Sequence, residues 1–409
     1  MTTTINNEHK KLNVPNLRFP EFEGEWEKCA LENLSTEIGD GIHATPLYDD
    51  NGTYYFVNGN NISEYGITIT PTTQRVTEAE AYRNNANILC SKTILLSING
   101  TIGNVALYKG EPIMLGKSAC YINVSTKVNK HYIFHYLMMP KCQFYFTSEL
   151  TGTTIKNLSL KSVRRTKVSL PNLKEQNRIA QLFDAINERI VTQNKIIDKL
   201  QSLIKGLNDT LYAQHGDEVM TSFAELGTSY SGLSGKSAQD FGSGKPFITY
   251  LNVYSNNVIN ENDFQYVAIK DGEKQNIVEY GDVLFTLSSE TPNEVGIGSV
   301  YLGKEKVYLN SFCFGIHITN TKVAFSPYLS YYVSSTAFRK FVYPYAQGST
   351  RFNLCKVDFE KASIKLPTLG HQKRIYSILS HLDCKMETEI QMLNLYNSQK
   401  QYLLRQMFI

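Results

Sequence analysis

LPNLKEQNRI (residues 170–179) recurs as LPTLGHQKRI (residues 366–375). Leu, Pro, Leu, Gln, Arg and Ile stand at matched positions, an offset of 196 (366 − 170), and each copy opens a long apolar-periodic segment. The offset holds upstream. Gly152, Thr154, Asn157 and Leu158 map onto Gly348, Thr350, Asn353 and Leu354, and Tyr132 and Tyr136 onto Tyr328 and Tyr332. The chain therefore reads as a tandem duplication: globular unit, helix, globular unit, helix.

Past each repeat the apolar spacing becomes helical. Ile179, Leu182, Ile186, Ile190, Ile197, Leu200, Ile204 and Leu207 recur at spacings of three, four and seven, a heptad stripe with one four-residue slip. Ile375, Leu382, Met386, Leu393, Tyr396 and Leu403 repeat it in phase. A segment of about 38 residues spans about 57 Å at ~1.5 Å per residue. So long and narrow a stripe cannot be covered by its own domain. Two of them in matching phase predict an antiparallel intramolecular coiled coil, since one helix leaves the first domain for the second and the other leaves the second. Separate helices, each folded on its own domain, are the alternative.

The expected fold is α/β (α+β), with a pseudo-twofold internal repeat. The first domain covers 1–171, including a loose polar tail at 1–15. The first spacer helix covers 172–213, the second domain 214–367 and the second spacer helix 368–409. In the first domain, β-like runs lie at 53–57, 93–98, 104–108 and 119–124, with Asn99-Gly100 as a hairpin signal. An aromatic-rich helix at 131–146 should break near Pro140, and a polar loop from 151 should lead into a strand ending at Leu170.

Composition narrows the function. The 409 residues are 42% hydrophobic with a net charge of +3, too small for overall charge to imply a polyanion partner. Seven cysteines, odd in number and never spaced C-x-x-C, argue against a disulfide framework or a zinc site and suit a reducing cytosol. The polar N-terminus has no signal-peptide core, and no run reaches the ~18 apolar residues of a membrane span. A cytoplasmic protein with no membrane association is expected.

No phosphate-cradling G-x-x-x-x-G-K-[ST] occurs; GSGKP at 242–246 lacks the spacing. There is no Asp/Asn-Pro-Pro-aromatic run for amino-group methylation and no H-E-x-x-H, and the eight histidines are scattered. No catalytic, cofactor or metal site is expected. The positive signal is for binding. Between 151 and 170 lie Lys156, Lys161, Arg164, Arg165 and Lys167 with no acid, and the second copy has Arg351, Lys356, Lys361 and Lys365. Loops mixing Gly, Thr, Ser and Asn with Lys or Arg suit phosphate and base-edge hydrogen bonding. The candidate DNA contacts in the first half are His43, Thr45, Thr101, Asn104, Thr153, Thr154, Lys156, Asn157 and Arg164. Those in the second are Ser234, Lys236, Ser288, Ser289, Thr350, Arg351 and Asn353. For any one of them, a solvated surface or turn-capping role is the competing reading.

These features, with RFPEFEGEW, DGIHATP, NGNNI, GDVLFT, the paired GT/ST-T-x-x-NL motifs and LPxLxxQxRI, resemble the specificity subunit of type I restriction–modification systems over essentially the whole chain. The resemblance implies two target-recognition domains, each reading half of a bipartite, asymmetric site on double-stranded DNA. It also implies helices that space the domains and hold two methyltransferase (modification) subunits, which bind S-adenosylmethionine and act on adenine. A nuclease–translocase (restriction) subunit would join for cleavage. The chain itself would be non-catalytic and bind no cofactor. A self-contained DNA methyltransferase and a coiled-coil protein without a DNA role are the rival readings. One departure is His371, where the pattern has an acid such as Glu175; its loss should weaken the start of the second helix slightly.

Overall fold

A computed structural model describes residues 13–84, 86–152 and 156–409. It divides into two compact units, one of Met1–Lys195 with Ile390–Ile409 and one of Ile196–Glu389. The two long helices, Leu173–His215 and Leu369–Met407, therefore each contribute to both units.

The first unit is built on a four-stranded antiparallel sheet in the order Ser35–Asp40, Ala119–Val124, Thr93–Ser97, Val105–Leu107. Every residue of Thr93–Ser97 and Ala119–Val124 is buried, so these strands are covered on both faces and read as continuous apolar runs. Tyr54–Val57 pairs antiparallel with Arg75–Val76 and parallel with Ile113–Leu115 in a second, smaller sheet. The aromatic stretch forms two helices, Lys130–Met138 and Pro140–Ser148, with Pro140 at the first position of the second, where its missing N–H costs nothing. Glu27–Ala30 pairs with Lys167–Leu170 and so joins the two ends of the domain. The polar stretch after 151 also contains a helix, Leu160–Arg165, where a loop was expected. Ser159 caps it by accepting from the Ser162 N–H at 3.0 Å.

The second unit repeats this plan. Its sheet runs Gly227–Ser231, Cys313–Ile318, Val283–Thr286, Gly298–Val300. Phe241–Ile248 pairs antiparallel with Gln265–Val267 and parallel with Tyr308–Leu309, and Val219–Thr221 closes on Ile364–Leu366. Aromatic packing dominates the core: Phe223, Phe285, Phe314, Phe338 and Phe359 are all buried in mutual contact.

The repeated LPxLxxQ motif has the same role in both units. Gln176 is buried; its amide donates to the Pro171 carbonyl at 2.9 Å and its oxygen accepts from the Asn129 N–H at 3.0 Å. Gln372 donates to the Pro367 carbonyl at 2.8 Å and accepts from the Phe325 N–H at 2.8 Å, with a further 2.8 Å bond to the Val323 carbonyl. Each glutamine thus ties the start of its long helix to the backbone entering the domain's aromatic helix. Asn172 and Thr368 stand at matched places just before each helix and accept the first helical bonds through their carbonyls, at 3.0 and 2.9 Å.

Within each unit the two helical segments run antiparallel. In the first, Phe183 meets Phe408 at a ring separation of 5.5 Å, and the Arg189 Nε–H donates to the Tyr396 hydroxyl at 3.1 Å. In the second, Leu207 and Leu211 pack in the same core as Ile375 and Leu379. Ile179, Ile190, Ile197 and Ile375 of the stripe are buried; Leu182, Ile186, Leu200, Ile204, Leu207, Leu382, Met386, Leu393, Tyr396 and Leu403 are half-buried. Phe183, Leu379 and Leu404 are also fully covered, which makes the apolar face wider than a two-position seam.

Replacing Gln372 by Leu should leave the Phe325 N–H and the Pro367 and Val323 carbonyls without their partner. A cost of about 1–3 kcal/mol for each group left buried and unpaired is expected. Urea melts against the exposed control Gln401→Leu will measure it; a total loss below about 1 kcal/mol would show that water replaces the side chain.

Candidate nucleic-acid interface

In both units the strand that follows the glycine-led motif lies against the end of the core sheet. In the first, Thr151 pairs with Asn157, and Asn157 forms a bridge with Asn99 at the tip of the hairpin linking Thr93–Ser97 to Val105–Leu107. The Leu158 N–H donates to the Ile98 carbonyl at 2.9 Å. In the second unit the Leu354 N–H donates to the Leu287 carbonyl at 2.8 Å, the equivalent link, since Ile98 and Leu287 each follow directly on the matched core strand. There the strand Phe352–Leu354 lies between Ser288–Ser289 and Ala346–Gln347, and Asn353 is paired with both Ser288 and Gln347. Gly348 makes this turn possible. Its φ of +136° and an approach to the Arg351 carbonyl that would leave an added Cβ at 2.2 Å both demand glycine.

The second unit gathers the larger set. Thr350, Arg351 and Asn353 are exposed on one strand turn. The Arg351 guanidinium lies over the exposed Phe312 ring, 5.8 Å from its centroid, and its Nη2 donates to the Ser288 hydroxyl at 3.4 Å. Ser288 and Ser289 are buried, so their hydroxyls support the face from beneath. The Ser289 hydroxyl donates to Glu294 at 3.1 Å, joined by Thr291 and Tyr254, each at 2.7 Å. These three donors, Thr291 foremost, hold the Glu294 carboxyl below the usual range, so the face also carries one fixed negative acceptor.

In the first unit Lys156 is exposed beside the turn, while Thr153 and Thr154 lie outside the described residues. Thr101 and Asn104 sit on the adjoining hairpin, but their side chains donate to the Gly59 and Ile62 carbonyls, each at 3.0 Å. They tie the hairpin to the NGNNI stretch. Arg164 donates Nη2 to the Ile38 carbonyl at 2.7 Å, anchoring its short helix to the edge of the main sheet. His43 and Thr45 belong to a different loop, after the Ser35–Asp40 strand; both are exposed, and His43 Nε2 contacts Asp40 at 2.9 Å.

Ser234 and Lys236 are likewise on a loop of their own. The Ser234 N–H donates to the Gln275 side chain at 3.1 Å. The Lys236 ammonium is nearly covered, and it binds the Ala268 carbonyl and Glu273, each at 2.6 Å. That pairing, with the Lys270 N–H and Gln275, holds the Glu273 carboxyl down to about 2. As placed, Lys236 braces two loops and does not present a free cation. Phe312, Gln347 and Glu294 complete the second face, and no spacing in the sequence singles them out.

The RFPEFEGEW stretch has a structural role. Arg18 grips the buried Glu175 carboxylate with two 2.7 Å bonds and the Gly24 and Glu23 carbonyls at 2.7 and 2.9 Å. It thereby locks the first turn of the first long helix. In the second copy, where His371 replaces the acid, Glu218 provides a carboxylate from outside the helix and accepts from the Thr368 N–H at 2.7 Å. No helix among the described residues is long and apolar enough to cross a membrane.

Known proteins place this architecture. The putative type I restriction enzyme MjaX specificity subunit of Methanocaldococcus jannaschii is 23% identical, over 93% of this chain and 92% of its own. The crystal structure of the type I restriction–modification S subunit from M. genitalium superposes with a TM-score of 0.56 at 15% identity, covering 97% of this chain and 99% of that one. A chain from a study of complex assembly and conformational transition of the type I restriction–modification system gives a TM-score of 0.55 at 16% identity, over 93% and 96%. The profile of the type I restriction modification DNA specificity domain matches twice, at residues 23–202 and 231–395. Matched by that profile in two mixed α/β regions over well more than half of its length, this chain is a member of the type I restriction–modification DNA specificity family.

Proposed function

We propose that the protein is the non-catalytic, sequence-reading subunit of a type I restriction–modification complex, and that each domain reads one half of a bipartite, asymmetric DNA site. One observation carries the reading. The strand that follows the glycine-led motif is joined to the end of the same core strand in both domains, Leu158 to Ile98 and Leu354 to Leu287, yet the side chains around it differ. A shared frame with unlike surfaces is what two half-sites of unlike sequence require. Backbone amides and Lys156 or Arg351 would position the phosphates, while Asn157 and Asn353 can offer both donor and acceptor to a base edge. The long helices would hold two adenine methyltransferase subunits, which bind S-adenosylmethionine, and a nuclease–translocase subunit would join for cleavage. The complex would act on DNA in the cytoplasm.

Replacing residues 216–365 with the equivalent domain of another family member should alter one half of the methylated motif and leave the other. Mapping methylated adenines in cells carrying the complex is the check; a change in both halves would defeat the independence of the domains.

Lys156→Ala or Arg351→Ala should weaken DNA binding and flatten its log–log salt dependence by about one unit if the residue meets a phosphate. A relaxed base preference at one position would instead make that residue a base reader. Binding assays across salt concentrations, with the partner subunits present, separate the two; no change in either removes the residue from the interface.

Four residues inserted after Leu200 should extend the first long helix by about 6 Å, or roughly two base pairs, and nearly preserve the phase of its stripe. The methylated motif should then keep both halves while the gap between them grows by one or two base pairs. An unchanged gap in an active variant would mean that the helices do not set the spacing.

A further inference from the structure

We propose that His215, Glu218 and His371 form a binding site for one divalent transition-metal ion of the zinc class. His215 closes the first long helix, and the turn that follows at Gly216 and Asp217 returns Glu218 beside it. His371 lies in the first turn of the second long helix, 153 residues from Glu218 in sequence. Both imidazoles aim Nδ1 at the same carboxylate: His215 at Oε1, 3.1 Å away, and His371 at Oε2, 2.8 Å away. The two rings lie 4.0 Å apart at 31°. One ligand atom from each of the three residues lies within 4.8 Å of the other two.

Two imidazoles and a carboxylate are the borderline nitrogen and oxygen donors that suit Zn2+, Co2+ or Ni2+. An ion bound at ~2.0–2.2 Å from each donor needs tetrahedral donors about 3.3–3.5 Å apart. The two imidazole–carboxylate separations, 3.1 and 2.8 Å, reach that range by small outward shifts, and the imidazole nitrogens, within 4.8 Å of each other, by one ring turning so that the two lone pairs converge. The side chains are 33%, 25% and 37% exposed, which admits the ion and leaves room for water in the fourth position. The Thr368 N–H, donating to Oε2 at 2.7 Å, fixes the carboxylate from behind, as outer partners of metal ligands do.

The first unit shows what this place is without histidines. The residue equivalent to His371 is Glu175, and its partner is the Arg18 guanidinium. A guanidinium neutralises a carboxylate but has no lone pair to give. The second unit puts two lone-pair donors against its carboxylate at the same junction. A bound ion would clamp the end of one helix to the start of the other, a structural role independent of how DNA is read.

The test is titration of the full chain, stripped with chelator, with Co2+ and then Zn2+. One Co2+ per chain should bind with the visible absorption of a four-coordinate site, and Zn2+ should displace it and raise the melting temperature. His215→Gln and His371→Gln should each lower Co2+ affinity at least about 100-fold, since losing even an outer partner costs ~10–100-fold. His381→Ala, at an exposed histidine elsewhere on the helix, should change nothing. Glu218→Gln, which keeps the shape of the side chain, covers the case in which a histidine variant misfolds. The proposal is overturned if no saturable one-equivalent binding occurs, or if affinity is the same in wild type and Glu218→Gln.

Discussion

The fold rests on a buried glutamine, used twice. Gln176 and Gln372 each sit at the start of a helix of about forty residues, and each satisfies a backbone N–H and at least one carbonyl that would otherwise be buried without a partner. A carboxamide donates and accepts from a single rigid plane, whereas an ionised Glu only accepts and Leu does neither, so neither can replace it here. The bond fixes where the helix begins relative to the strand that closes the domain and the helix that carries its aromatic core. Tyr132 adds to this in the first unit, donating to the Ser169 carbonyl at 2.6 Å. With that corner set, the strand after the glycine-led motif is placed by the backbone bond between Leu158 and Ile98, or Leu354 and Leu287.

The two corners then diverge in their electrostatics. Arg18 and Glu175 form a covered pair in which removal of one partner would strand a buried charge, a loss of order 3–5 kcal/mol. Glu218 and His371 lie nearer the solvent. A second contact further along each helix diverges as well. His135, buried and held to Asp184 in the first unit, is matched by Tyr331 held to Asp383 in the second. Burial lowers the affinity of His135 for its proton while Asp184 opposes that; the Tyr331 hydroxyl is pushed above its ordinary range by burial and its acid. The matched residue keeps a carboxylate partner on the long helix, supplied three residues further along in the second copy, and changes the chemistry.

The duplication, the long helices, the strand runs and the hairpin at Asn99-Gly100 were legible in the sequence because periodicity and turn chemistry are local. The helix Leu160–Arg165 was hidden by its six-residue length and basic surface, its only signal being Ser159 as a cap. The structural engagement of Lys236 could not be read, since Glu273 and Ala268 approach it only through the fold. Thr101 and Asn104 turn their side chains to the Gly59 and Ile62 carbonyls, partners that no spacing reveals. Phe312 beneath Arg351 was missed for the same reason. The apolar face is wider than the heptad stripe because Phe183 and Leu404 pack in a domain core, and a heptad seam accounts only for a partner helix.

The division of the helices also bears on how the chain is made. The second unit is one unbroken stretch, 196–389, whereas the first needs residues 390–409 to finish its core, with Leu404, Met407 and Phe408 against Tyr132 and Phe183. A ribosome delivers the first domain early but its last core residues only after the whole of the second domain. The domain synthesised first must therefore wait, with an aromatic surface uncovered, while the later one can close at once. That reverses the usual order in which domains mature along a growing chain and makes the waiting surface a natural place for a chaperone to bind.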